Sequence, residues 1–263
     1  MMHHKTVLIT GAGSGIGRAL AITAAAKGFR LILAGRTKLS LRETAQQCAS
    51  GTHQIVVADV NTPNGRAALA SAAGGALDIL INNAGVLAVG HLRDIDDASL
   101  DQMVTTNLLA PMALTRDLLP ALQASQGRIV NIGSVFGDIA YPYFASYSAT
   151  KFGLRGYSDA IRRELSGTGV GVTYIAPRAT RTAAETSFNA LIEPLDMTLD
   201  SAESVSAQAW AAILNGKREC FPKGKERFFV KIQRLFPALV DKSVGAQARH
   251  PKTLAALART RQT

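Results

Sequence analysis

A glycine loop between a short apolar strand and a helix constrains this chain more than any other feature. Thr6-Val7-Leu8-Ile9-Thr10 is a β-rich run; Gly11-Ala12-Gly13-Ser14-Gly15-Ile16-Gly17 follows it and opens an Ala/Leu-rich segment. Glycines permit a tight turn and close backbone approach, and the helix N-terminus offers unpaired N–H groups to an anion such as a pyrophosphate. The spacing is G-x-x-x-G-x-G, not the commoner G-x-G-x-x-G.

Short apolar runs and longer Ala/Leu-rich segments alternate along the rest of the chain, the pattern of a parallel sheet covered by helices. Strands are expected at Thr6–Thr10, Arg30–Ala34, Gln54–Ala58, Asp78–Asn82, Arg128–Ile132 and Val170–Ala176. Helices are expected at Gly15–Lys27, Lys38–Ala49, Asn64–Ala73, Ser99–Ala124, Tyr147–Ser166 and Ser201–Asn215. Right-handed crossovers then give a doubly wound α/β sheet, Rossmann-like, with helices on both faces and ligand at the carboxyl ends of the strands. With 263 residues, no internal repeat and no linker composition, one domain over residues 1–263 is expected.

Hydrophobic residues at 47% and charged residues at 18% exclude a disordered chain. Cys48 and Cys220 stand far apart and fit neither a disulfide framework nor a metal-ligand spacing, which points to a reduced, cytoplasmic setting and no metal. The apolar run after Lys5 is too short for a secretory segment, and no stretch approaches the roughly 20 apolar residues of a membrane span. Net charge is +10, but residues 217–263 hold 12 Lys/Arg against 3 Asp/Glu, while residues 1–216 hold 17 against 16. A basic groove for nucleic acid on the body is therefore not expected; a basic C-terminal surface is.

Chemistry concentrates around Ser146-Tyr147-Ser148-Ala149-Thr150-Lys151. On a helix, positions i and i+4 share a face, which sets the ammonium of Lys151 beside the phenol of Tyr147. A neighbouring cation favours the phenolate, so the phenol's pKa is expected to fall toward neutrality. Ser134, at the end of an apolar run, is placed to donate a hydrogen bond to a substrate oxygen. After the second strand, where an acidic residue would hold the ribose hydroxyls of NAD, stands Arg36, whose guanidinium suits a 2′-phosphate.

Together these motifs resemble the short-chain dehydrogenase/reductase family in its compact branch, over about residues 5–215. Thr10 to Gly17 is similar to that family's glycine loop, so Gly11, Ser14, Gly15, Ile16 and Gly17 are candidate cofactor contacts. Asp59-Val60 resembles the pair that contacts the adenine. Asn83, Ala84 and Gly85, within Asn82-Asn83-Ala84-Gly85, resemble the segment bordering the cofactor. The resemblance implies Tyr147 as acid/base, Lys151 as its partner and a ribose ligand, Ser134 as the carbonyl-orienting residue, and Asn107 as holder of a relay water. Pro177 and Thr182 match the family's contacts beside the nicotinamide. One departure is Pro177-Arg178 where the family usually has Pro-Gly; another is a C-terminus without the Gly-Gly-rich ending of 3-oxoacyl-carrier-protein reductases.

A substrate lid is expected between Arg178 and Asp200, with Phe188, Leu191, Ile192 and Leu195 as apolar surface. Phe136, Tyr141, Tyr143 and Phe144 follow Ser134 and add to it, which suits a lipophilic or aromatic carbonyl. In the basic tail, about residues 224–263, apolar residues at 228, 229, 232, 235, 236, 239 and 240 keep helical spacing, and Pro237 kinks or restarts the helix. Three roles compete for it: a cover over the pocket or subunit interface, a peripheral membrane contact, and a dock for an acyl carrier. The expectation is an NADP(H)-dependent oxidoreductase, with NAD(H) the alternative cofactor, acting as a homodimer or homotetramer through the helices carrying Asn107 and Tyr147. The competing function is a regulatory protein that senses the cofactor without turnover.

Overall fold

The computed structural model describes residues 5–49, 51, 53–222, 224 and 226–260; Met1–His4 ahead of the first strand, and Lys223 and Lys225 of the basic tail, lie outside them. The chain runs β1 (Thr6–Thr10), α1 (Gly15–Ala26), β2 (Arg30–Gly35), α2 (Lys38–Gln47), β3 (Gln54–Val57), α3 (Pro63–Ala73) and β4 (Ile79–Asn82). It continues through α4 (Asp97–Val104), α5 (Ala110–Ala124), β5 (Arg128–Ile132), α6 (Ala145–Glu164) and β6 (Gly171–Ile175). Then come β7 (Thr180–Arg181), β8 (Asp200–Ser201), α7 (Ala202–Leu214) and β9 (Glu219–Cys220), followed by α8 (Glu226–Leu235), α9 (Pro237–Arg249) and α10 (Pro251–Thr260).

Seven strands form one parallel sheet in the order β3-β2-β1-β4-β5-β6-β9. Its inner strands are buried on both faces. Val7 and Ile9 point toward α1, α2 and α7, where Leu20, Leu41 and Trp210 close one core. Leu8, between them, points the other way, toward Leu69 of α3, Leu118 of α5 and Ile161 of α6. The strand order reverses between β1 and β4, so their carboxyl ends diverge and open a crevice there.

Two expectations are corrected. The segment expected as one helix over Ser99–Ala124 is α4 and α5 joined by a π-helical turn, Thr105–Leu109. Pro111 explains part of this: it has no N–H to donate to the carbonyl of Asn107 four residues earlier, so the α-helical ladder cannot run through that point. The sheet also gains β9, whose two residues are too few for any periodicity; it exists because Tyr174 N and Ala176 N donate to the carbonyls of Arg218 (3.0 Å) and Cys220 (2.8 Å). The tail is helical as expected: among the described residues it holds three helices, and Pro237 restarts the helix, as Pro251 does again.

Candidate functional site

The glycine loop is held from below by Thr10 and Asn83. The Thr10 hydroxyl accepts from the N–H groups of Asn83 (2.9 Å) and Ala84 (3.0 Å), and the Asn83 amide donates to the Thr10 carbonyl (2.9 Å). These bonds fix the end of β4 against the end of β1. Gly11 and Gly15 have φ of 64° and 51°, which side chains rarely adopt. Arg18 braces the outside, donating to the Gly13 carbonyl and to the Thr44 hydroxyl (3.0 Å), which itself donates to the Ala12 carbonyl (2.9 Å). Neither residue belongs to the motif, and no sequence signal singles them out.

From this loop a cleft of about 430 Å³ crosses the carboxyl ends of the strands. Gly11, Ser14, Gly15, Ile16 and Gly17 form one side. Arg36, Asp59 and Val60 border one end. Asn83, Ala84 and Gly85 lie midway, and Pro177 and Thr182 cover the far side. Ser134, Tyr147 and Lys151 stand together at its floor, and Phe136, Phe144, Phe188 and Met197 close the apolar end. Arg36 is exposed at its mouth and makes no hydrogen bond or ion pair with a described residue. A glycine-lined cradle next to a helix N-terminus and a free guanidinium fits the pyrophosphate and ribose end of a dinucleotide.

Asn107 is the one predicted site residue that does not border this cleft. Its buried amide pairs with the backbone of Val86, accepting from its N–H and donating to its carbonyl, both at 2.8 Å, and donates to the Thr150 hydroxyl at 3.2 Å. The side chain is thereby spent on structure. Its main-chain carbonyl lacks the usual helical donor, because Pro111 four residues on has no N–H.

At the cleft floor the expected electrostatics are reversed. Lys151 lies 5.5 Å from the centre of the Tyr147 ring, and its ammonium donates to the Ile132 carbonyl at 3.0 Å. Burial pushes the Tyr147 phenol up to about 12 despite the hydrogen bond from Ser134. Burial also pushes Lys151 down to about 8. Desolvation disfavours the charged form of each, and at this separation the pair does not outweigh it. Tyr147 keeps part of its surface open to the cleft, so water there moderates the rise.

Lys151 is almost fully enclosed, and its lowered pKa is a stability statement. Below about 8 it is protonated whether folded or not, and the folded state carries the whole penalty, about 3 kcal/mol for a shift of this size. As pH rises above 8 the folded state releases its proton first, so stability rises toward pH 10. Lys151→Met is therefore expected to raise Tm at pH 7 and to flatten the rise between pH 7 and 10. Thermal melts of both proteins across that range check it; parallel pH curves would refute a desolvated ammonium.

Two further residues shape the floor. Tyr174 of β6 lies beneath Ser134, its hydroxyl 3.4 Å from the Ser134 N–H and within 3.4 Å of the Ser134 and Lys151 carbonyls. The ring fits because Gly133 and Gly137 leave room: an added Cβ would come within 2.1 Å and 2.4 Å of it. That pair of glycines around Ser134 was the available sequence signal. Asp138, just after the serine turn, is buried between Arg155 (3.0 Å) and Arg234 of α8 (2.8 Å), and Arg155 also pairs with Glu219 (2.8 Å).

The residues expected to form the apolar surface divide into two groups. Phe136, Phe144 and Phe188 border the cleft. Leu191 and Leu195, with Ile192 against them, instead share a core with Ala256 and Leu257 of α10. The Tyr141 hydroxyl donates to Gln247 Oε1 (2.8 Å) and the Tyr143 hydroxyl to the Ala248 carbonyl (2.7 Å), both in α9. The tail thus forms the outer wall behind the substrate end. Arg178, the departure from Pro-Gly, pairs with Asp200 at 2.7 Å, and β7 and β8 pair beside it. The arginine clasps the two ends of the lid together.

A parallel sheet of this order, with a glycine cradle at the strand reversal and a Ser-Tyr-Lys cluster beyond it, defines a Rossmann-type dinucleotide-binding fold. Residues 5–192 match the short chain dehydrogenase family, and the chain belongs to it. A ketoacyl reductase, HetN, of Nostoc sp. is 38% identical over 179 residues, covering 66% of this chain and 62% of that protein's own length. The crystal structure of a short-chain dehydrogenase from Streptomyces avermitilis shares the fold with a TM-score of 0.80 at 24% identity, covering 95% of this chain and 98% of that one. A 3-ketoacyl-(acyl-carrier-protein) reductase from Brucella melitensis, complexed with NADH, superposes with a TM-score of 0.74 at 25% identity over 80% of this chain and 90% of that one.

Proposed function

We propose that this chain is an NADP-dependent reductase of lipophilic or aromatic carbonyl compounds, with Tyr147 as the acid. The observation that carries the reading is the meeting of Ser134, Tyr147 and Lys151 at the floor of a cleft that begins at the glycine cradle and ends among phenylalanines. A reduced nicotinamide, when bound, supplies the hydride to the carbonyl carbon. Tyr147 gives its proton to the carbonyl oxygen, completing the alcohol. The phenol is protonated at neutral pH, the form needed for donation, and burial raises its pKa further. Ser134 donates a hydrogen bond to the same oxygen as charge builds on it. Lys151 keeps a positive charge beside the phenolate that forms and binds the ribose. Reprotonation of Tyr147 runs through Lys151 and a water on the main-chain carbonyl of Asn107.

The ketoacyl reductase relative supports a carbonyl substrate. NADP over NAD rests on Arg36, exposed and unengaged at the cleft mouth. Exposed Val104, Leu109 and Met112 along α4–α5 and Phe152 on α6 support a homo-oligomer formed through those helices.

The test is NADPH and NADH oxidation against long-chain, aromatic and cyclic ketones. Turnover with NADPH on part of the panel is the expected result; cofactor binding without turnover on any of it would favour a cofactor sensor. Arg36→Ala is expected to raise the KM for NADPH roughly tenfold or more, in line with loss of a charge-assisted bond to phosphate, and to leave that for NADH nearly unchanged. Equal changes in both remove the reason for preferring NADP.

A further inference from the structure

Helix α8 is mounted with its apolar face outward. Stepping 100° per residue, Phe228, Phe229, Ile232 and Leu235 fall within an arc of about 120°. Val230 and Arg234 fall on the opposite side, and these two hold the helix to the body: Val230 is 4% exposed and Arg234 reaches the buried Asp138. Phe228, Leu235, Phe236 and Leu239 are 64%, 72%, 58% and 62% exposed, and the rings of Phe228 and Phe229 lie edge to face at the surface. A helix on a globular body normally turns its apolar stripe to the core. Here the stripe is left for something else.

Charge identifies the occupant. Lys231 is exposed on the flank of this arc, Arg227 is exposed at the start of the same helix, and residues 217–263 carry 12 of the chain's 29 Lys/Arg. A second copy of the chain would bring two such tails together, and like charges across an interface cost affinity. Nucleic acid matches the charge but not four exposed aliphatic and aromatic side chains. An anionic lipid surface satisfies both, taking the apolar face into the acyl boundary and the cations among the headgroups. No described helix is long and apolar enough to cross a membrane, so the contact is peripheral.

We infer that the outer face of α8 and the start of α9 docks on anionic phospholipid bilayers. The tail anchors on the body through Arg234–Asp138, Tyr141–Gln247 and Tyr143–Ala248, all at the substrate end of the cleft, so docking brings that end to the membrane. The inference stands on the tail's geometry and does not require the reductase reading.

Vesicle flotation tests it, with the full chain on phosphatidylcholine alone and on phosphatidylcholine mixed with phosphatidylglycerol. A Phe228→Ser/Leu235→Ser/Phe236→Ser variant spares all three anchors; an unchanged circular dichroism spectrum and melt establish that it folds, and its mass in solution is measured beside wild type. Wild type is expected to float with the anionic vesicles only, less so as salt rises, and the variant to partition at least roughly tenfold more weakly. Failure of wild type to float, or equal flotation of the variant, overturns the inference. So does loss of self-association in the variant when neither protein floats, since a second copy would then be the occupant.

Discussion

A Tyr147→Phe enzyme is expected to lose carbonyl reduction by a factor on the order of 10² to 10⁴, the range for removing a positioned acid. The phenyl ring keeps its packing, including the edge contact with Phe136 at 6.4 Å, and gives up only the hydroxyl that bonds Ser134. Cofactor affinity, measured by fluorescence titration with NADPH, is expected to change less than threefold, because the glycine cradle and Arg36 are untouched. Activity should fall through kcat, since the lost interaction forms as the proton moves. A variant with ordinary kcat would remove Tyr147 from the chemistry and leave the residue as part of the cleft wall.

Gly17→Ala is expected to have the other large effect, on the cofactor end. A Cβ at Gly17 would sit 2.2 Å from the Gly11 carbonyl oxygen and 2.5 Å from Asn83 Nδ2. The first of these is backbone, so relief requires α1 to withdraw from the loop. That movement breaks the same contacts that hold the cradle: the Asn83 amide bonds to Thr10 and Gly11. Overpacking of this kind costs about 1–3 kcal/mol of stability, and the displaced helix N-terminus should weaken NADPH binding by roughly a hundredfold. Thermal melts and titration measure the two separately. A variant with wild-type Tm and affinity would mean the loop adapts freely and the cradle is not rigid.

Much of the fold was legible because its signals are local. Thr6–Thr10 read as a buried strand from its unbroken apolar run, and Gly11 to Gly17 read as a strand-to-helix turn from the glycines. The break at Asn107 was less legible. Pro111 was in view, but a proline in the first turn of a helix and one that interrupts a ladder look alike until the neighbouring element is placed. Here that neighbour is Val86, which takes both ends of the Asn107 amide. The Tyr147–Lys151 pair shows the same boundary in energetic form. Their spacing along a helix gives proximity, and proximity alone argued for a lowered tyrosine pKa. The enclosure that raises it comes from elements far away in sequence, and so does the Ile132 carbonyl that accepts the ammonium's hydrogen bond.

The tail marks the limit from the other side. Its periodicity was readable as a helix at 228–236 with a restart at Pro237, but a period does not say which face meets the protein. That was decided by Asp138, Tyr141 and the lid, which meet Arg234, Gln247 and α10 of the tail respectively. Arg178 likewise read as a disruption until Asp200 stood opposite it. By itself the sequence determined the strand–loop–helix units, their order and the residue types at the cleft, because turn geometry and side-chain periodicity are properties of consecutive residues. Only the tertiary structure decided which charges are desolvated, which carbonyl is left without a donor and which apolar face stays outside. Each of those is a sum over neighbours that the chain brings together from distant positions.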